Sequence, residues 1–216
     1  MIKPLVGALL AVLLSPAPAL AAVQQWYQVE NEVQLPKPVG WSPDAVSFAT
    51  DVRYSSDRVG LERVQLRWGP RWNIGSWLEL GINHNAYLQQ DDSGVMIQEQ
   101  RLELQPTFMG TVGPLAWEDR SRLERRMRPD SVRMRYRNQL RLAAEVAPGW
   151  TPFVADEVFF DLERMVFNEN RVTLGLAHDR AEDGWEFSYT FRQEQGAGWA
   201  PDHLLALGWE AGVDLR

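Results

Sequence analysis

The sequence predicts an all-β fold, an antiparallel up-and-down transmembrane β-barrel of 10–12 strands whose lumen is lined by Arg and Glu. Two observations predict it: a cleavable export signal at the N-terminus, and long segments in which apolar and polar residues alternate. In the segment 185–192, every odd position is aromatic and every even position is polar. This is the period of a β-strand with two unlike faces.

Residues 1–22 have the form of a secretory signal peptide. Lys3 provides the positive charge, residues 5–14 form an apolar core, and Ala19-Leu20-Ala21 is a small-residue cleavage site. The apolar run is too short for a membrane-spanning helix, and no later segment reaches the length of one. We therefore expect a signal peptide over 1–22 and one outer-membrane barrel domain over 23–216. Its expected partners are the barrel-assembly machinery and the lipids of the outer membrane.

The charge composition argues against a nucleic-acid partner. The formal net charge is −7, and all basic residues except Lys3 and Lys37 are arginines, which interleave with glutamates. Binding to phosphates needs exposed net or clustered positive charge, so this composition favours internal Arg–Glu pairing. The chain has no cysteine, which excludes disulfides and a lipid-anchored lipoprotein. We expect no cofactor.

Eleven segments alternate as strands, separated by turn residues such as Pro129-Asp130 and Pro148-Gly149. Many are much longer than the roughly 5–6 residues usual in soluble proteins. A tilted membrane strand needs about 9–11 residues for the bilayer alone, so strand length favours the membrane fold. The predicted strands lie near 24–35, 44–55, 58–69, 76–89, 95–109, 114–126, 131–146, 151–162, 167–178, 184–195 and 201–215.

The number of strands is expected to be even, because both termini of such a barrel lie in the periplasm. Eleven candidates therefore leave ten or twelve strands open. Either one strand is missed, or the first segment is not a full strand.

The middle strands separate charged from apolar residues. Arginines share one face of 131–146, and Glu and Arg share one face of 95–109 and of 114–126. In a membrane the orientation is forced, because a lipid-facing arginine at the midplane costs about 2–4 kcal/mol, and three on one strand would cost roughly 6–12 kcal/mol. That total is comparable to the stability of a whole protein. The predicted lumen network, which is the possible lining of a pore, consists of Glu99, Arg101, Glu103, Arg120, Arg122, Glu124, Arg133, Arg135, Arg137, Glu157 and Arg171.

Tryptophans mark alternate connections. Five of them each begin a strand just after a turn, which is where membrane barrels place an interfacial aromatic girdle. They are Trp41, Trp77, Trp117, Trp150 and Trp185. Tryptophans that cap a soluble core are the alternative interpretation.

Two segments in the C-terminal half resemble a known family. They are DEVFFDL at 156–162 and FNENRVTLGL at 167–176, and they look like the segment typical of the domain-of-unknown-function 2490 family. The resemblance implies an uncharacterised bacterial outer-membrane β-barrel without an assigned activity. Glu157 and Arg171 match the family's segment and fall on the polar faces of adjacent strands. They would form a buried ion pair or a ligand contact, or fill the lumen and fix the strand register.

The histidines form no convincing catalytic constellation, and we do not expect an enzyme. By alternation His84, His178 and His203 lie on the apolar face near strand ends, as interfacial histidines do. No serine has a nucleophile-elbow context, and we expect no metal, because Asp91-Asp92 lacks the ligand spacing of a calcium loop. Asn83-His84-Asn85 is a candidate for a lipid-facing active site.

Three functional classes follow from these patterns. The first, which we favour, is a structural scaffold or narrow charged pore in the outer membrane. A barrel of this size is little wider than the ~8-stranded kind that side chains fill. The second is an outer-membrane lipid-modifying enzyme, and the third is a soluble periplasmic lipocalin-like binding protein with its apolar face inside.

Overall fold

The computed structural model describes residues 23–36, 41–55, 60–91, 93–179, 183–195 and 200–214. The predicted signal peptide, residues 1–22, lies outside these ranges. All the named secondary-structure elements within them are β-strands. No helix in these ranges is long and apolar enough to cross a membrane.

The described residues form eleven strands, each close to one of the segments predicted from alternation. The largest difference is at β3, which continues through Gly69-Pro70 to Ile74 because its pairing with β2 continues to Arg71 and its pairing with β4 continues to Ile74. The strands are β1 (Val23–Gln34), β2 (Ala45–Ser55), β3 (Gly60–Ile74), β4 (Leu78–Gln90), β5 (Met96–Val112), β6 (Leu115–Arg128), β7 (Ser131–Ala143), β8 (Trp150–Asp161), β9 (Val166–Asp179), β10 (Asp183–Glu194) and β11 (Ala200–Asp214).

The strands form one closed barrel, and a parallel pair completes it. Each strand is antiparallel to the next along the chain, whereas β1 pairs in parallel with β11, from Val23 opposite His203 to Gln34 opposite Asp214. The expectation of an even number of strands is therefore wrong, and the first segment is a full strand. Eleven strands that alternate in direction leave the first and last running the same way, so only a parallel pair can close the barrel.

The strands are long enough for a tall barrel. They contain between 11 residues in β2 and 17 residues in β5. Twelve residues extend about 40 Å at ~3.3 Å per residue, and a tilt of about 40° leaves about 30 Å along the barrel axis. The long predicted segments thus become single uninterrupted strands.

The barrel has a polar interior and an apolar outer surface. Phe187 and Leu140 are each 44% exposed, whereas the side chain of Glu124 is fully buried. The buried polar residues include Asn85, Glu99 and others on the inward faces of the strands. The predicted Arg/Glu-lined lumen is confirmed. The apolar interior expected of a lipocalin-like binder is not what the described residues form.

Tryptophans gather at one end of the barrel, which we call the tryptophan end. It carries the connections before β2, β4, β6, β8 and β10, and the five tryptophans predicted to begin strands lie there. Trp72 also reaches this end and donates a hydrogen bond from Nε1 to the carbonyl of Trp41 (2.9 Å). Towards the opposite end, Phe160 and Phe167 pack edge to face with ring centroids 5.0 Å apart. The apolar outer surface is therefore bordered by aromatic residues at both ends.

One glycine allows an aromatic ring to lie flat against the inner surface. Gly175 on β9 is directly opposite Phe153 on β8, and a Cβ added at Gly175 would overlap the Phe153 ring. The guanidinium of Arg141 lies 3.7 Å from the centroid of the same ring. Phe153 thus packs between the backbone of Gly175 and a charged side chain.

We expect Gly175→Ala to lower the free energy of unfolding by about 1–3 kcal/mol, because the Phe153 ring must move away from the added Cβ. Urea unfolding followed by tryptophan fluorescence measures the change. Gly81→Ala is the matched control, since a Cβ at Gly81 also lies on an inward face but finds its nearest atom at 3.5 Å. Equal destabilisation by both substitutions would contradict the packing argument.

Candidate functional site

The barrel encloses a polar cavity of about 960 Å³. Its lining residues extend from Asp91 and Glu194, at the end opposite the tryptophans, to Glu79 and Glu118 nearer the tryptophan end. The described lining residues include more arginines than carboxylates. The cavity therefore presents a surface rich in guanidinium groups.

Glu99 on β5 is held by three arginines. Its carboxylate accepts hydrogen bonds from Arg101 on the same strand, from Arg126 Nε at 2.7 Å and from Arg128 Nε at 2.5 Å. The Glu99 side chain is fully buried. A buried carboxylate is costly unless it is paired and hydrogen-bonded, and these arginines supply both.

Arg137 on β7 bridges Glu124 on β6 and Glu157 on β8. Its Nη1 donates to Glu124 at 2.8 Å and its Nη2 donates to Glu157 at 2.7 Å. Glu124 also accepts a hydrogen bond from Arg135 Nε at 2.8 Å, and Glu157 lies 3.8 Å from Arg171 Nη1 on β9. The planar guanidinium can hold two carboxylates at once, so these ion pairs join four consecutive strands.

A second network crosses over β2. Glu30 on β1 accepts hydrogen bonds of 2.8 Å from Arg67 and from Arg71 on β3, although β2 lies between the two strands. Arg71 also donates to Glu79 on β4 at 2.7 Å. Glu30, Ala49 and Arg67 lie in one row of the sheet. The small side chain of Ala49 leaves room for the ion pair above it.

Aromatic side chains share the interior with the arginines. Phe159 on β8 is fully buried, with the guanidinium carbons of Arg137 and Arg171 each 4.5 Å from its ring centroid. A cation over a ring face is attracted by the ring quadrupole, so the ring holds the positive groups in place. Three further lumen rings are each approached by an arginine: Trp26 by Arg53, Tyr87 by Arg101 and Phe153 by Arg141.

Arg122 on β6 differs from the arginines described above. It is 8% exposed and lines the cavity, and its Nε has no hydrogen-bond partner among the described residues. Together with Arg122 itself, four guanidinium groups here face three carboxylates: the other arginines are Arg120, Arg137 and Arg67, and the carboxylates are those of Glu103, Glu30 and Glu157. The positive charge of this part of the lumen is therefore incompletely compensated.

The model of the family described as protein of unknown function (DUF2490) matches residues 23–200. The chain belongs to the DUF2490 family. The matched residues contain all of β1 to β10, and with them both lumen networks. No curated protein matches the chain.

In this DUF2490 protein, the residues predicted for the lumen network fall into three groups. Most lie in the ion-pair network or line the cavity: Glu99, Arg101, Arg120, Arg122, Glu124, Arg135, Arg137, Glu157 and Arg171. Glu103 is 2% exposed and lies behind the cavity surface. Arg133 does not join them: it lies near the start of β7, is exposed and does not line the cavity, although Arg126 directly opposite it on β6 does.

The second network was missed at the sequence level. Glu30, Arg67, Arg71 and Glu79 lie on the inward faces of β1, β3 and β4. Alternation within 58–69 places Arg67 on a polar face, and the same parity extended past Pro70 includes Arg71. Alternation could therefore have identified the inward face of these arginines. It could not have identified their partners, because pairing across an intervening strand depends on the closed barrel.

The histidines face outward and pack on aromatic rings. His84 lies in the middle of β4, not near a strand end, with its ring 4.5 Å from that of Trp68. His178 lies between Trp150 (4.5 Å) and Trp185 (5.6 Å). Among the described residues, no side chain forms a hydrogen bond with His84 Nδ1 or His178 Nδ1.

No described serine or carboxylate therefore holds either histidine in the manner of a catalytic base. Within the described ranges, no group of three or more His, Asp or Glu side chains is arranged to hold a metal ion. Asp92, half of the predicted Asp91-Asp92 turn, lies outside those ranges.

We expect Glu124→Gln to lower the free energy of unfolding by about 3 kcal/mol, because Arg135 and Arg137 would lose the buried carboxylate that both contact. Urea titration measures the loss. Glu118→Gln is the control, since Glu118 is partly exposed and lies 4.0 Å from Arg120, and its loss should cost at most about 1 kcal/mol. A Glu124→Gln variant as stable as the control would show that the ion pairs do not stabilise the barrel.

Proposed function

We propose that this DUF2490 protein is an outer-membrane β-barrel whose arginine-rich lumen forms a narrow pore that favours small anions. The observation that carries the proposal is the enclosed polar cavity, lined by more arginines than carboxylates, inside a barrel with an apolar outer surface. The apolar outer surface supports the membrane location, and the arginine-rich lumen supports the preference for anions.

The outer surface supports a membrane location. Leu66, Leu104, Phe187 and Leu207 are each more than 40% exposed and lie on four different strands. Monomeric soluble proteins rarely expose continuous apolar surface on this scale. Aromatic residues at both ends border this surface, as they do in membrane barrels, where the apolar band is about 25 Å tall. Barrel-assembly machinery would insert the chain, and outer-membrane lipids would cover it.

The lumen supports passage of anions over cations. Glu99 and Glu124 are fully buried and do not line the cavity, whereas Arg126, Arg135 and Arg137 around them do. A narrow passage with low-dielectric walls focuses the field of its lining charges. Guanidinium groups that line the cavity and cover buried carboxylates would therefore attract anions.

The bore is expected to be small. Eleven strands are much closer to the ~8 that side chains fill than to the ~16–18 of open porins. Long arginine side chains occupy much of the interior, so inorganic anions and small organic acids are the solutes that fit best. The mobility of the arginines would set the conductance.

A membrane location predicts heat-modifiable migration. Full-length protein extracted with detergent should migrate differently on a gel before and after boiling, and it should float with lipid vesicles in a density gradient. An unfolded sample of the same chain, added to vesicles in urea, is the control for nonspecific adhesion. Recovery of folded protein in the soluble fraction without detergent would overturn the membrane proposal.

An anion-favouring pore predicts stepwise conductance in planar bilayers and a reversal potential of anionic sign in a KCl gradient. Arg122→Gln should reduce the anion-to-cation permeability ratio about twofold, because Arg122 adds incompletely compensated charge to the lumen. Arg133→Gln removes the same charge outside the cavity and should leave the ratio unchanged. Absence of conductance from correctly inserted barrels would favour a plugged structural scaffold instead.

A further inference from the structure

The outer surfaces of β6, β7 and β8 carry polar side chains midway along the strands. They are Asp119 and Ser121 on β6, Asn138 on β7 and Asp156 on β8, and we call them the outer polar patch. At similar positions on β3, β5 and β11 the outward residues are the exposed leucines Leu66, Leu104 and Leu207. Midway along β2 and β4 the outward polar residues Thr50 and His84 stand singly, whereas the four residues of the patch are concentrated on one side of the barrel.

The two halves of the patch are separately hydrogen-bonded. The Asn138 amide nitrogen donates to the Asp119 carboxylate and to Ser121 Oγ (3.2 Å), and Ser121 Oγ is 2.9 Å from the Tyr136 hydroxyl. On the other side of β7, Asp156 accepts a hydrogen bond of 2.7 Å from the Asn170 amide on β9.

Hydrogen-bond capacity remains on each side of β7. Ser121 and Tyr136 share one hydrogen bond although each hydroxyl carries a hydrogen, so one hydroxyl hydrogen is left to donate. Asp156 receives one hydrogen bond, and a carboxylate can accept several. The described residues therefore leave a spare donor on the β6 side of the patch and a spare acceptor on the β8 side.

If the barrel lies in a membrane, as proposed above, the patch faces the bilayer. Hydrocarbon supplies neither donors nor acceptors, and ionisable residues within the membrane almost always face protein or a water-filled cavity. Side chains that face the lumen lie on the opposite faces of the same strands, so they cannot form hydrogen bonds with the spare donor and acceptor of the patch. A second protein surface can.

We propose that the outer polar patch is the interface between two copies of this chain, an inference that rests on the proposed membrane location. A twofold axis that runs parallel to the barrel axis and passes just outside β7 brings β6 of each copy opposite β8 of the other. The spare hydroxyl of the Ser121–Tyr136 pair then donates to Asp156 of the second copy, and the reverse contact forms at the same time. Such a self-complementary surface is what a twofold dimer requires.

Apolar residues around the patch provide packing for the same interface. Leu123, Leu140, Val154 and Val172 surround the polar groups and are each between 39% and 44% exposed. Leu140 lies closest to the proposed axis, because it is on β7 directly between Asp119 and Asp156 in one row of the sheet. The two Leu140 side chains would meet across the dimer.

Single-cysteine cross-linking tests the dimer, because the natural chain contains no cysteine. Full-length Leu140→Cys protein, purified and reconstituted in phosphatidylcholine vesicles, should form a disulfide-linked dimer on oxidation. Leu66→Cys is the matched control, since Leu66 is an outward leucine of similar exposure (48% against 44%) four strands away on β3. We expect at least a fivefold excess of dimer for Leu140→Cys over the control.

The polar contacts are tested in the Leu140→Cys background. Asp156→Leu removes the acceptor and should lower the dimer yield at least threefold, and Ser121→Ala should lower it by less, because Tyr136 keeps its hydroxyl. Heat-modifiable migration shows whether each variant has folded. Yields unchanged in both variants would overturn the polar interface.

The outcomes separate this inference from the proposed function. Heat-modifiable protein that floats with vesicles but shows equal, or no, cross-linking at residues 140 and 66 would overturn the dimer alone. Protein that neither floats nor shows heat-modifiable migration would overturn the membrane location. An adduct of Leu140→Cys with a protein of another mass in native membranes, with none of dimer mass, would replace the second copy by a different partner.

Discussion

The barrel depends on the contact between buried arginines and buried carboxylates. Most glutamates of the interior networks are shared, as Glu99 is by three arginines and Glu124 by Arg135 and Arg137. Removing only the arginines, or only the glutamates, would leave uncompensated charges away from bulk water. The two residue types must therefore face inward together, and this requirement decides which side of every middle strand faces outward.

The other residues of the lumen are those that leave room for the long arginine side chains or pack against them. Where arginines reach across a strand, the strand beneath carries a small residue, as Ala49 does under Glu30 and Arg67. Where paired arginines gather, an aromatic ring such as Phe159 lies beneath their guanidinium groups. Small residues, aromatic rings and ion pairs thus fill one lumen without an apolar core, and they leave the cavity that the proposed pore would use.

Local patterns predicted the strands and their faces, because alternation with period two is a property of each segment by itself. Closure was not predictable in this way, since the pairing of Val23 with His203 joins the two most distant strands. The ion pairs of Glu30 were not predicted for the same reason, because its partners Arg67 and Arg71 lie beyond the neighbouring strand. Arg133 shows another limit: alternation gives the face of a residue but not how far its side chain is exposed. Phe159 was missed as a lumen residue because an aromatic side chain inside a charged interior follows from packing with Arg137 and Arg171 and not from its own polarity.

The odd number of strands has a consequence for the two ends of the chain. Because β1 runs parallel to β11, Val23 at the start of β1 and Asp214 at the end of β11 lie at opposite ends of the barrel. In the membrane location proposed above, a short tag fused ahead of β1 and a second tag fused after β11 would therefore be accessible from opposite sides of a sealed vesicle. An even-stranded relative would present both tags to the same compartment.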